Sequence, residues 1–77
     1  MARKKLGAAF GLVLRDHRKS RGLSQERLAE KAGVHPTHVG LVERGERNPS
    51  LDVAASLAAA LGLSLSEMVK EAEHRGR

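Results

Sequence analysis

Two histidines, His35 and His38, lie three residues apart, a spacing that places both rings on one face of a helix. They could share a metal ion, but two neutral imidazoles form a weak site and nothing nearby supplies a third ligand. The remaining histidines and acidic residues are scattered, and the sequence contains no cysteine. We therefore expect no metal, no cofactor and no catalytic residues. The pair is interpreted as a helix cap and a half-exposed side chain, or as part of a binding surface.

The composition predicts one small all-α domain. The chain has 77 residues with Phe10 as its only aromatic, and no segment alternates with period two. So small a core leaves little room for a catalytic cleft or a separate effector domain, and we expect neither an enzyme nor a small-molecule effector. No apolar run is long enough for a membrane span. These features are compatible with a cytoplasmic protein.

The basic charge is concentrated at one end of the chain. The formal net charge is +5, of which residues 1–22 contribute +6, residues 23–50 are balanced and residues 51–77 contribute −1. A one-sided positive field suits an anionic polymer such as a nucleic acid. The alternative is a basic tail that serves only solubility.

The apolar spacing and the capping residues predict five short helices. We expect them at residues 8–21, 25–32, 36–44, 51–61 and 65–73. The single domain would then have its core in 8–73, a basic tail in 1–7 and a frayed tail in 74–77. The apolar stripe of the fourth helix, from Leu51 to Leu61, is expected to be buried.

The second and third helices are separated by a tight turn at Gly33. Ser24 is a suitable N-cap for the second helix, and Pro36 is favoured at the first position of the third. The third helix has an apolar inner edge and a small, polar outer edge. This is the arrangement of a helix-turn-helix, whose second helix enters the DNA major groove.

Several short elements follow one another between residues 10 and 63. They are Arg18, Gly22-Leu23-Ser24-Gln25, Leu28-Ala29, Ala32-Gly33-Val34, Val39, Val42-Glu43-Arg44-Gly45, Asn48-Pro49 and Leu61-Gly62. In this order and spacing they resemble the phage-repressor and Cro-like helix-turn-helix family, also called the xenobiotic-response-element family. The resemblance implies a compact five-helix, lambda-repressor-like domain. The chain length and the stretch 43–48 also resemble restriction–modification controller proteins, which are stand-alone dimeric regulators.

The resemblance implies two sets of DNA contacts. The phosphate-binding set lies at the start of the second helix and after the third, and comprises Ser24, Gln25, Arg44, Arg47 and Asn48. For Gln25, whose helix terminus favours an anion, the alternative is ordinary solvation of a first turn. The base-reading set lies on the third helix and comprises His35, Pro36, Thr37, His38, Gly40 and Leu41.

The base-reading set departs from the family pattern. Controller proteins tend to carry Arg at the position of Pro36, and proline cannot donate a hydrogen bond to a base. Thr37 can contact either base type, Leu41 offers an apolar contact to a thymine methyl, and Gly40 is expected to leave a gap. Specificity must therefore come partly from the histidines, from Arg44 and Arg47, or from DNA shape.

Arg18 and Glu43 match a pair that often forms a partly buried salt bridge between the first and third helices of this family. Both residues flank apolar positions, so the pairing agrees with the sequence. The alternative is two independent surface charges, worth less than about 1 kcal/mol.

The fifth helix has an apolar stripe that raises the question of a dimer. We expect Leu65 and Val69 to pack on the first helix, while four residues remain exposed as a two-fold interface. These are Leu61, Leu63, Met68 and Ala72. The alternative is that the stripe packs entirely into the chain's own core.

The sequence thus predicts a homodimeric regulator that binds a palindromic operator in double-stranded DNA, in the cytoplasm and associated with the nucleoid. Two alternatives use the same fold. One is a protein-interaction module, such as an antitoxin, with a protein partner. The other is an RNA-associated factor, against which the lack of stacking aromatics counts.

Overall fold

The computed structural model describes residues 2–75, with side chains from residue 6 onward. It has five helices, α1 (Ala2–Ser20), α2 (Gln25–Ala32), α3 (Pro36–Glu43), α4 (Leu51–Ala60) and α5 (Leu65–Arg75), and no strand in that range. The prediction of an all-α, five-helix domain is confirmed. No single helix in the described range is long and apolar enough to cross a bilayer, and α4 and α5, which would reach that length only together, are separated by a 100° bend.

Side-chain caps start the four helices α2 to α5. His35 caps α3, and serines cap the other three. Ser24, Ser50 and Ser64 each accept a backbone N–H three residues ahead, at 3.0–3.1 Å. At α5 the cap is reciprocal, because the Glu67 carboxylate accepts the backbone N–H of Ser64 at 2.8 Å. That hydrogen bond holds the pKa of Glu67 below its ordinary value. Gly33 ends α2 with φ = 72°, a left-handed conformation that side chains disfavour.

Both predicted tails are wrong within the described range. The backbone from Ala2 onward continues α1, because residues 2–6 contain good helix formers and no helix breaker. At the other end α5 includes His74 and Arg75, and the Arg75 guanidinium lies 2.6 Å from the carboxylate of Asp16 on α1. Residues 76 and 77 of the expected frayed tail lie outside the described residues.

The core is assembled from all five helices. Its largest fully buried side chains are Leu14, Leu28, Val39, Val42, Leu57 and Met68. Phe10 is also buried, as its place in the α1 stripe predicts. Leu51 is not, since its side chain is 78% exposed at the first position of α4.

The expected dimer residues are not available at the surface. Leu61, Met68 and Ala72 are all buried in the monomer, and Leu63 is half-buried. The prediction is wrong because α5 turns Met68 and Ala72 fully into the core, whereas Leu65 is only partly buried against it. Leu65 and Val69 instead line an apolar groove of about 250 Å³. This apolar groove is formed mainly by Leu6, Phe10, Pro49, Leu51, Leu65 and Val69.

Helix α1 crosses the C-terminal end of α3 at very short range. A methyl group on Gly11 would overlap the backbone oxygen of Val42 and lie 3.1 Å from that of Glu43. Glycine in the middle of a helix is unfavourable by roughly 0.5–1 kcal/mol relative to alanine. The close packing of the two helices is therefore the structural reason for a glycine at this position.

We expect Gly11→Ala to destabilise the protein by about 1–3 kcal/mol despite its better helix propensity, because the obstacle is backbone. Gly40→Ala is the matched control, since its added methyl would press only on the flexible tip of the Arg44 side chain and would lie in ordinary van der Waals contact with the Gln25 amide. It should be neutral or stabilising by up to about 1 kcal/mol. Urea unfolding followed by circular dichroism measures both, and equal stability of the two variants would contradict the close contact.

Candidate functional site

The predicted ion pair between α1 and α3 forms in the structure. Arg18 Nε lies 2.6 Å from Glu43 Oε2, and Arg18 Nη2 lies 3.1 Å from Oε1. Arg18 Nη1 donates to the backbone oxygen of Leu23 at 2.7 Å. The two charged side chains are only 10% and 3% exposed. The hydrogen bonds that Arg18 donates to the Glu43 carboxylate raise the pKa of Arg18 despite the opposing effect of burial.

Glu43 also holds the first residue of α2. The side-chain amide of Gln25 donates to Glu43 Oε1 at 3.0 Å, so one carboxylate joins α1, α2 and α3. Since the amide nitrogen points at the carboxylate, the Gln25 carbonyl oxygen lies toward Gly40. Gln25 is thus a half-buried, oriented side chain rather than a solvated one.

Gly40 does not leave the expected gap. It is buried, and a methyl group placed on it would lie 3.1 Å from Arg44 Nη1 and 3.5 Å from Gln25 Oε1. The missing side chain is replaced by two polar groups from other positions. The absence of a side chain at Gly40 therefore lets Gln25 and Arg44 pack against the outer side of α3.

The two histidines adopt different environments. His35 is the exposed N-cap of α3, and its Nδ1 accepts the backbone N–H of Thr37 at 3.1 Å. His38 is half-buried, and its Nε2 is shielded from solvent without a hydrogen-bond partner in the part of the chain that the structure describes. In this conformation His38 does not present Nε2 to a ligand, contrary to its expected place in the base-reading set.

The outer face of α3 is small. Thr37 is exposed, and Pro36 and Leu41 are half-buried beside it.

Within residues 6–75 no three His, Asp or Glu side chains are grouped so that they could hold a metal ion.

The residues of the expected phosphate-binding set lie around this face, and they differ in exposure and in the contacts that they already make. Ser24 is exposed, but its oxygen caps α2. Arg44 is 56% exposed and its Nε donates to Glu46 at 3.2 Å. Arg47 is exposed, whereas the Asn48 side chain packs against Gly7 of α1 and leaves less of its amide for another partner.

Arg15 and Glu46 line a cleft together with predicted residues, although the sequence analysis placed neither of them in a DNA-contact set. The sequence does indicate a place for Arg15 beside the ion pair, because a residue three positions before Arg18 lies on the same face of α1. It gives no such indication for Glu46, whose position depends on the loop conformation after Gly45.

We expect Glu43→Ala to lower the free energy of unfolding by about 3–5 kcal/mol, because it leaves the Arg18 guanidinium buried without its partner. Glu46→Ala removes a carboxylate that pairs with an exposed arginine, and it should cost less than about 1 kcal/mol. Urea denaturation provides both values. Similar losses of unfolding free energy in the two variants would show that the Arg18–Glu43 pair stabilises the fold no more than a surface pair does.

Comparison with known proteins identifies relatives of this fold and sequence. A family model described as helix-turn-helix matches residues 14–68. Control protein C.SmaI of Serratia marcescens is 45% identical over 56 residues, which are 73% of this chain and 67% of that protein.

Two solved structures are similar over most of the chain. The clp gene regulator ClgR of Corynebacterium glutamicum has a TM-score of 0.87 at 34% identity, covering 92% of this chain and 76% of its own. The restriction–modification controller protein C.AhdI of Aeromonas hydrophila has a TM-score of 0.76 at 46% identity, covering 79% and 92%. These relatives are regulators rather than enzymes, in agreement with the expectation from the sequence.

Proposed function

The chain belongs to the xenobiotic-response-element type of the helix-turn-helix family of transcriptional regulators, and from that membership we propose how it acts. It binds double-stranded DNA in a sequence-specific manner, as a homodimer on a palindromic operator in the cytoplasm. Residues 36–44 enter the major groove. The observation that carries this proposal is the exposed outer face of α3, bordered by an oriented Gln25 on one side and Arg44 on the other.

Phosphate contacts would fix the position of α3 in the groove. The first turn of α2 presents unpaired backbone N–H groups and the positive end of a helix dipole, which favour an anion. Gln25 stands at this terminus, and its hydrogen bond to Glu43 orders it before DNA arrives. Arg44 and Arg47 supply cationic donors directly after the C-terminal end of α3.

Base contacts would come from few side chains. The Thr37 hydroxyl can donate or accept, and Leu41 can contact a thymine methyl. His35 is exposed, and its Nε2 is not used by the cap. Because Pro36 carries no donor, we assign part of the specificity to the sequence-dependent shape of the DNA.

We expect the Gln25→Ala, Thr37→Ala double variant to lose on the order of tenfold or more in affinity for an operator selected from random DNA, while its helicity is retained. One substitution removes a phosphate contact and the other a base contact. Ser66→Ala on α5 is the control and should bind as the unmodified chain does. Gel shifts at moderate salt measure the affinities, and an unmodified chain that shows no sequence preference would refute the proposal.

The homodimer requires a surface that leaves α3 free. The apolar groove has no charged lining residue and none from α2 or α3. Asn48 is the one lining residue that belongs to the expected phosphate-binding set, so a second copy seated there would leave Gln25, Arg44 and Arg47 free for DNA. The groove also lies beside the protruding Leu51, which gives one surface both a projecting side chain and a cavity. Such a surface is self-complementary across a two-fold axis.

We expect Leu51→Lys to shift the protein toward the monomer and to weaken operator binding, because a charge would have to enter the apolar groove. Ala55→Lys is the matched control, since Ala55 is an exposed apolar residue of α4 outside both the groove and the surface proposed for DNA. Sedimentation equilibrium gives the mass of each variant. A dimer that persists unchanged in Leu51→Lys would exclude this surface.

A further inference from the structure

A polar cleft of about 590 Å³ lies between α1 and the C-terminal end of α3. It is bordered by three arginines, two glutamates and the residue at the start of α2. These are Arg15, Arg18, Arg44, Glu43, Glu46 and Gln25. We call it the arginine cleft. Because Gln25 is one of its walls, the cleft adjoins the phosphate contact proposed above.

Four of the five charges in the arginine cleft are paired with one another. Arg18 pairs with Glu43 at 2.6 Å, and Arg44 pairs with Glu46 at 3.2 Å. Arg15 is exposed and makes no ion pair with any described side chain. The net positive charge of the cleft is therefore supplied by Arg15.

The backbone at Arg15 is held in place relative to Gln25 by the ion pair at the base of the cleft. Arg15 lies one helical turn before Arg18 on the same side of α1. Arg18 is bound to Glu43, and the same carboxylate orders Gln25. A ligand that reaches Gln25 along the cleft would therefore also meet the Arg15 guanidinium.

We propose that Arg15 binds an oxygen of a DNA phosphodiester next to the one held by Gln25, so that one strand's backbone follows the arginine cleft. Guanidinium groups match the geometry of phosphate oxygens and donate two hydrogen bonds to them. The contact carries no base preference, because phosphates are the same at every step. This inference depends on the proposed DNA-binding function and adds α1 to the DNA-binding surface.

The test is the salt dependence of operator binding. Each lost phosphate contact reduces the slope of log K against log salt by about 0.9, so Arg15→Gln, which removes one contact in each subunit of the dimer, should reduce it by about 1.8 with unchanged base preference. Arg15→Lys, which keeps the charge, should restore most of the slope. Lys70→Gln removes an exposed charge of α5, away from the cleft, and should leave the slope of the unmodified chain.

A second measurement locates the phosphate. Neutral methylphosphonate linkages are placed one at a time in the operator, and one of them should weaken binding by the unmodified chain but not by Arg15→Gln. The inference is overturned if Arg15→Gln and Lys70→Gln give the same slope while the unmodified chain binds its operator. If the unmodified chain binds no DNA sequence preferentially, the proposed function fails and this inference fails with it.

Discussion

The close approach of α1 to the C-terminal end of α3 is the constraint on which the rest of the structure depends. It requires Gly11, because any side chain there would meet the backbone of Val42. Two turns later on the same face of α1, it brings Arg18 within hydrogen-bond distance of Glu43. Since both charges are buried, neither could remain there without the other. The contact therefore sets the distance between the helices and selects the residues at two points along α1.

One carboxylate connects stability with binding. Glu43 neutralises Arg18 in the interior and orders Gln25 at the surface, so the group that holds the helices together also fixes a side chain directed at a ligand. An ordered side chain loses little conformational entropy when it binds, and this favours affinity without any additional contact. The α2–α3 unit can therefore present a small set of polar groups and still position a partner accurately.

Local signals in the sequence were sufficient to predict most helix boundaries, apart from the start of α1. They were not sufficient to predict which face of each helix is buried. Capping residues such as Ser24, Gly33 and Ser50 predict the element boundaries to within a few residues, because capping is decided by near neighbours. The apolar stripe of α5 is wider than one contact line, and only the packing of α5 against the rest of the domain decides that Met68 is fully buried while Leu65 is half-buried. The pair Arg18–Glu43 was indicated by family resemblance. The burial of Gly40 was not foreseeable, since its cover comes from Gln25 on another helix and from a fold-back of Arg44.

The cap of α3 has a consequence for how the operator preference of such a protein can change. Thr37 takes part in the cap only through its backbone N–H, which any residue except proline would supply. Its side chain forms none of the hydrogen bonds that join α1, α2 and α3. Position 37 can accordingly vary in identity at little cost in stability. The fold thereby separates the part of α3 that can evolve new recognition from the part that must be kept.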